Sequence, residues 1–324
     1  MLILAPEDKA VPHSTTSRGA AQESAACRDD ETGQWLIHVD CATRSDKGRR
    51  RQRNEDACTA LVQRSHVAGG CLEPDNSGAP AWAWGTSLIV ADGIGGYGDG
   101  DKASAEAVQL MYSFARRVLP WFTHEIRMDG ASVGRELERA VSQAHRRIGR
   151  KARDFGLDPR MGTTLTFCYL ANKTAHLAHV GDSRGYLFRD EQLTQITADH
   201  TMANLLVSRG HLDAAEVGPH HNHTLCNALG GGNRSVRVET HHVPIQGSDI
   251  LLLCSDGLTK HVSDAEIAQI LATGQPASWL CKRLVDAANA GGGSDNIAVA
   301  ISRILALRSS HDHQITLPGM AVSR

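Results

Sequence analysis

Residues 87–108 read SLIVADGIGGYGDGDKASAEAV. An apolar run ends at Asp92, glycines follow at 93, 95 and 98, and a stretch with helical spacing begins. Taken literally, G-x-G-x-x-G between a strand and a helix is the fingerprint of a dinucleotide-binding loop. Whether the loop holds a pyrophosphate or presents Asp92 decides the fold. Three features weigh against the pyrophosphate. A dinucleotide fold needs an acidic residue about 20 positions past the glycines, at the end of a second strand. Here that distance falls within QLMYSFARRVL, residues 109–119, which contains no acid. A carboxylate directly before the first glycine also repels a pyrophosphate. Finally, the design recurs: LLLCSDGL closes a second apolar run at Asp256-Gly257, HVGDSRG closes a third at Asp182, and GGGSDNIAV sets Asp295 just before the last.

A single Asp-Gly at a strand end is most often only a turn. Four carboxylates at strand ends, each beside a Gly or Ser that lets the backbone come close, are a pattern. Carboxylates at that density repel one another, and hard divalent cations with a preference for oxygen, Mg²⁺ or Mn²⁺, offset the repulsion. Calcium fits less well. The EF-hand spacing is missing, and GGYGDG carries Gly100 where a calcium-binding nonapeptide needs Asp, and occurs once.

The order of elements agrees. QWLIHVDCATR, EDACTALVQR and TSLIVAD read as strands, and residues 101–119 and 131–155 as helices. Residues 163–196 look like a meander of hairpins, broken by Asn-Lys, Gly-Asp-Ser and Arg-Asp. Residues 199–235 are polar and rich in Gly and His, and read as a mobile helical excursion. SVRVETHHVPI and DILLLCSDG return to strand, SDAEIAQILAT and PASWLCKRLVDAANA are helices with Ser263 as an N-cap, and DNIAVAISRIL closes as a strand. Strands come in blocks, which favours α+β layers and a largely antiparallel sheet over a doubly wound fold. Residues 1–33 lack periodicity and are expected to be a disordered arm, 34–306 a single domain, and 307–324 a flexible tail. Residues 68–80 read as an exposed insertion.

Together RRRQRNEDA, VADGIGG, MGTTLT, VGDSRGYLFRD, LLLCSDGL and GGSDNIAV resemble the successive motifs of the PPM (type 2C) metal-dependent protein serine/threonine phosphatases, in their bacterial form. They stand in the family's order, from about residue 38 to about residue 304. The resemblance implies a four-layer α-β-β-α sandwich: a central, mainly antiparallel β-sandwich flanked by helix pairs, with a two-metal site at one end. It implies hydrolysis of phosphoserine and phosphothreonine by a water bridging two Mn²⁺ or Mg²⁺ ions, with a weaker third ion. On that pattern Asp92 bridges the pair, the Gly93 carbonyl ligates one ion, and Asp256 and Asp295 ligate the other. Asp182 would bind the third ion together with Asp256. Arg51, four residues before Glu55, would hold the substrate phosphate; Glu55 and Asp56 would orient waters; and 199–235 would be the flap beside the site. Eukaryotic relatives carry His after the Asp-Gly, where this chain has Ile94, and Tyr97 stands where some have His, so the resemblance supplies no general acid.

The same residues can be read more plainly. Five arginines lie in RSDKGRRRQRN, and the run could be a solvated or docking patch rather than a phosphate clamp. His179, in an apolar run, reads as a packed core residue. His220, His221 and His223 read as a solvated loop, since no Cys or carboxylate stands at ligand spacing. Gly162-Thr163-Thr164 is expected to support the site by packing and hydrogen bonds. A formal net charge of −2 argues against a nucleic-acid binder relying on a basic surface. Eight scattered cysteines with no C-x-x-C pair read as free thiols in a reducing compartment, with no His-paired thiol nucleophile. No apolar run approaches the roughly 20 residues that span a bilayer. The expectation is a cytoplasmic monomer acting on phosphoproteins, the substrates of a serine/threonine kinase. The alternative is a catalytically silent phosphatase-like domain that binds a phosphoprotein or signalling partner.

Overall fold

The computed structural model describes residues 35–64, 81–95, 99–120, 128–213, 218 and 224–309. The arm 1–33, the insertion 68–80, Tyr97 and the three loop histidines lie outside the described residues, as does the chain from 310 on.

The strands are β1 Trp35–Asp46, β2 Ala57–Arg64, β3 Ala81–Ala91, β4 Gly93–Ile94, β5 Gly162–Thr163, β6 Leu165–Ala171, β7 Thr174–Val180, β8 Arg184–Arg189, β9 Gln192–Gln195, β10 Leu229–Gly230, β11 Glu239–Pro244, β12 Ile250–Cys254 and β13 Ile297–Ser309. The helices are α1 Gly100–Arg117, α2 Gly130–Asp154, α3 Met202–Ser208, α4 Asp256–Thr259, α5 Asp264–Leu271 and α6 Ala277–Ala290. Every ladder among the described residues is antiparallel. The large sheet runs β11-β7-β6-β3-β1-β13-β12-β8-β9, with β2 on β3. β1 pairs with β13 along its whole length but touches β3 only at Ile37–Val39, so the two halves fold onto each other at that corner.

The apolar runs explain the layers. A half-exposed strand alternates apolar and polar, whereas β3 and β12 are apolar almost throughout because both faces are covered. In β3, Ile89 and Ala91 pack with α1 and α2, while Leu88 and Val90 face the space between the sheet halves. In β12, Leu252 and Cys254 pack with α5 and α6, while Leu251 and Leu253 face the same central space. Three apolar layers thus lie between four structural ones, the expected α-β-β-α sandwich. The helices bury stripes at helical spacing: Ala103, Ala107, Met111 and Ala115 in α1, and Val133, Leu137, Val141, Ala144 and Ile148 in α2. Ser263 caps α5 with a full capping box, its hydroxyl accepting from the Glu266 amide while the Glu266 carboxylate accepts from the Ser263 amide.

Some expectations shift. β13 continues to Ser309, past 306, because its ladder with β1 runs to Trp35. Residues 235–238 are not strand; β11 begins at Glu239. The region 199–235 is not wholly a helical excursion: beside α3 it holds β10, which joins β5 and β4 in a small three-stranded sheet. No helix among the described residues is long and apolar enough to cross a membrane.

Candidate active site

The loop after β3 is built on close backbone approach, not on a ligand cradle. A Cβ at Gly93 would lie 2.4 Å from the Gly100 carbonyl oxygen and 2.6 Å from that of Glu55. Glycine therefore lets α1 and the 49–56 segment close around Asp92. Thr163 and Thr164 hold the aspartate from behind. The Thr164 hydroxyl accepts from the Asp92 amide at 2.9 Å, and the Asp92 carbonyl accepts from the Thr163 hydroxyl at 2.8 Å and the Thr164 amide at 2.9 Å. The supporting role expected of the Gly-Thr-Thr stretch is what these bonds perform.

The second Asp-Gly repeats the device. A Cβ at Gly257 would fall 1.8 Å from the Asn296 carbonyl oxygen, so only glycine lets the start of α4 lie against the segment carrying Asp295. Asn296 then ties in the arginine-rich segment: its side chain accepts from the Glu55 amide at 2.9 Å and donates to the carbonyls of Lys47 at 2.9 Å and Arg53 at 2.8 Å. Ser255, just before Asp256, donates to Asp56 at 2.6 Å. Asp182 follows the end of β7, and the loop is fixed by the Thr164–Ser183 hydroxyl contact at 2.7 Å and by His200, whose ring accepts from the Gly181 amide at 3.1 Å.

The electrostatics show that these carboxylates share one neighbourhood. Burial pushes the pKa of Asp92 well above the ordinary carboxylate range, and repulsion from Asp56, Asp256, Asp182 and Asp295 adds to it. Asp92 keeps some contact with solvent, yet its surroundings are dense enough for desolvation to dominate. Burial, and then the charges of Asp256 and Asp295, lift Asp56 to about 7. Burial, Asp256 and Asp199 lift Asp182 to about 7, and that residue is only 9% exposed. Glu55 is raised too, by burial and by Asp101 and Asp295, against the pull of Arg51. Asp295 behaves in the opposite way. Burial works upward on it, but Lys260 and Arg51 outweigh burial and hold it low. Arg51 Nε lies 2.8 Å from one oxygen of Asp295, and Lys260 Nζ lies 2.8 Å from the other and 2.6 Å from Asp256.

All eight residues singled out from sequence (Arg51, Glu55, Asp56, Asp92, Gly93, Asp182, Asp256 and Asp295) fall in this neighbourhood. The site does not form a closed cage: no group of three or more His, Cys, Asp or Glu among the described residues is already arranged as a metal holder. Lys260, lodged between Asp256 and Asp295, is one physical reason. The donor set nevertheless fits hard cations. It is all oxygen, it is self-repelling, and one carboxylate oxygen each of Asp56 and Asp256 is buried without a hydrogen-bond partner. Lys260, Ser255, Asn296 and His200 were missed as contributors. Asn296 and Ser255 stood in quoted motifs, directly beside ligand candidates, and that adjacency was the available signal.

Three of the described cysteines are poor thiolates: burial pushes Cys41 and Cys254 up to about 12 and Cys58 to about 11. His179 is a core residue, bonded to Thr166 and to the carbonyls of Gly181 and Ala198.

Comparison with known proteins points the same way. The family model for protein phosphatase 2C matches residues 62–291. The serine/threonine phosphatase stp of Listeria innocua is 34% identical over 259 residues, covering 80% of this chain and 93% of that protein. The crystal structure of the Mycobacterium tuberculosis serine/threonine phosphatase PstP aligns with a TM-score of 0.64 at 31% identity, covering 83% of this chain and all of that one. The catalytic domain of PstP in complex with two manganese ions aligns with a TM-score of 0.62 at 30% identity, covering 83% of this chain and 99% of that domain. The strand-end carboxylates, the sandwich that presents them and these matches lead to one conclusion: the chain belongs to the protein phosphatase 2C family.

Proposed function

We propose that the chain is a metal-dependent protein phosphatase that hydrolyses phosphoserine and phosphothreonine in proteins. The observation that carries this reading is the cluster of Asp56, Asp92 and Asp182 beside Asp256. Burial and neighbouring carboxylates raise the pKa of the first three. Asp56 and Asp256 each keep a buried oxygen with no partner, the other oxygen of Asp256 being held by Lys260, and so the cluster calls for external positive charge. Asp92, the Gly93 carbonyl, Asp256 and Asp295 would hold two divalent ions, Mn²⁺ or Mg²⁺, and Asp182 with Asp256 a weaker third. Bound there, the ions supply an acidified water and neutralise charge building on the phosphoryl oxygens. Arg51, with its side chain 52% exposed, presents a planar fork that matches two phosphate oxygens once it leaves Asp295. Glu55 and Asp56 orient water through their oxygens. A silent relative would be expected to have lost one of these acids, and this chain keeps them all. We further infer a cytoplasmic monomer, opposing a serine/threonine kinase.

Assaying p-nitrophenyl phosphate and a phosphothreonine peptide with Mn²⁺, and again with excess EDTA, tests the reading. Turnover should require the metal. Full turnover in chelator would overturn the mechanism, and no turnover with any divalent metal would overturn the function.

A further inference from the structure

Away from the acidic site, α2 carries a concentration of the opposite charge. Residues 144–154 read AHRRIGRKARD. Helical spacing puts Arg146, Arg150 and Arg153 on one exposed stripe and Arg147 and Lys151 on the next. The second stripe is partly offset from within, since Arg147 Nε and Lys151 Nζ share the carboxylate of Glu106 of α1 at 2.8 and 2.6 Å. The first stripe differs: among the described residues no acidic side chain pairs with Arg146, Arg150 or Arg153. Arg234, likewise exposed, stands in the turn after β10, and all four arginines line one cleft of about 520 Å³.

Gly149 lies inside the cleft wall. A glycine in mid-helix costs about 1 kcal/mol relative to alanine. Packing does not call for it, since a Cβ there would meet only Arg153 Nη1, at 3.8 Å. What the glycine leaves is open room between the arginines.

The cleft is tied to the active site through the small sheet. Gly230 of β10 pairs with Gly162 of β5, which pairs with Ile94 of β4, beside Gly93. The Gly230 amide also donates to His145 of α2 at 3.1 Å, and His145 lines the cleft. With strands about 4.8 Å apart, the cleft begins about 10 Å from the segment after Asp92. An extended peptide rises about 3.3 Å per residue, so roughly three residues cover that distance.

We propose that this cleft docks an acidic stretch of the substrate polypeptide, roughly three to six residues from the phosphorylated side chain. The proposal rests on the phosphatase reading above and names the substrates it favours. Guanidinium forks match carboxylates in pairs. A short acidic segment can sit in the cleft without entering the carboxylate cluster. A continuous polyanion such as nucleic acid would be repelled by that cluster and by the net charge of −2.

The test uses the full chain and a double variant of α2, Arg146→Glu with Arg150→Glu. Two phosphothreonine peptides are compared, one with Glu at three to six positions on both sides and one with Gln there. The wild type should show a KM about tenfold lower for the Glu peptide, an advantage that shrinks as NaCl rises. The variant should lose the advantage, keep kcat on both peptides, and hydrolyse p-nitrophenyl phosphate like wild type. Equal KM for the two peptides in the wild type, or an advantage that survives in the variant, overturns the proposal. Binding of a fluorescein-labelled Glu peptide without phosphothreonine, followed by anisotropy, gives a readout that does not depend on turnover. If the wild type turns over none of the substrates, the phosphatase reading fails, and anisotropy alone decides the cleft: Glu-peptide binding lost in the variant sustains it, no binding ends it. A single-stranded oligonucleotide bound more tightly than the Glu peptide, and released by the variant, would make the cleft a nucleic-acid site and overturn the proposal.

Discussion

Asp295 and Asp56 stand in the same acidic neighbourhood under opposite conditions. Asp295 is held by two cations of the protein's own, Arg51 and Lys260, and keeps its charge despite burial. Asp56, Asp92 and Asp182 have no cationic side chain bonded to them among the described residues, and burial with mutual repulsion drives all three upward. One half of the site is balanced by the chain itself; the other half is balanced only when positive charge arrives from outside. This division says which residues should govern chemistry and which should govern how ions enter.

The largest break in the comparison is Asp92→Asn, in the unbalanced half. Loss of the central carboxylate should lower kcat by at least ~10²-fold, the scale of losing a main electrostatic element. The same change relieves repulsion, so the variant in EDTA should melt at a higher temperature than wild type. Activity near wild type, or a lower melting temperature in EDTA, would mean that Asp92 is not the strained centre. A smaller loss is expected from Asp182→Asn. If Asp182 serves a third, more exposed ion, the variant should bind two Mn²⁺ almost as tightly as wild type in calorimetric titration. Its turnover of phosphopeptides should still fall about tenfold, the loss expected from one weaker charged element. Loss of the tight sites would move Asp182 into the core pair. Unchanged turnover would leave Gly-Asp-Ser as a simple hairpin.

How much of this was legible beforehand depends on range. The layers were, because β3 and β12 are apolar on both faces and strands arrive in blocks. The acids were, because each follows an apolar run and stands beside Gly or Ser. Lys260 was not, although it lies only four residues past Asp256: its meaning comes from Asp295, brought near by the β12–β13 ladder, and no local spacing encodes that. Asn296 is similar, since its partners at Lys47, Arg53 and Glu55 lie more than two hundred residues away along the chain. The small sheet β4-β5-β10 escaped because two-residue strands carry no periodicity.

The unbalanced half should also show in stability against pH. Asp56 and Asp182 at about 7 are raised from their unfolded values near 4, so their contribution is full at low pH and is lost as pH rises through about 7. His176 at about 4 and His179 at about 3 are lowered from about 6.5, so their contribution is lost as pH falls below that. Between about pH 6.5 and 8 the lowered histidines, His145 and His242 included, still work in the opposite direction, because an unfolded imidazole is half protonated at the lower limit. The carboxylate part is therefore read against the double variant Asp56→Asn with Asp182→Asn, which keeps the same histidines. In EDTA the wild type should lose on the order of 1 kcal/mol relative to that variant over the window, a few degrees in melting temperature. Saturating Mn²⁺ should remove the difference. A metal-free wild type whose stability changes with pH as the variant's does would show that the carboxylates are not repelling one another.

The smallest expected effect sharpens the balanced half. Lys260 Nζ touches Asp256 and Asp295 together, the position of a cation that belongs to the chain. Any ion held by those two carboxylates must displace it. Lys260→Met keeps the apolar stem and removes the charge. Partly exposed ion pairs are worth a few tenths of a kcal/mol each, about 0.2–0.5, so losing two should let Mn²⁺ bind about two- to fivefold more tightly to the variant by calorimetric titration. Lys282→Met, which breaks an exposed pair with Asp286 elsewhere on α6, should leave the titration unchanged and serves as the control. Weaker Mn²⁺ binding in the Lys260 variant would mean that the lysine orders its two aspartates for the metal. The contrast between a self-balanced and an unbalanced half would then give way to a site in which every member waits for the ion.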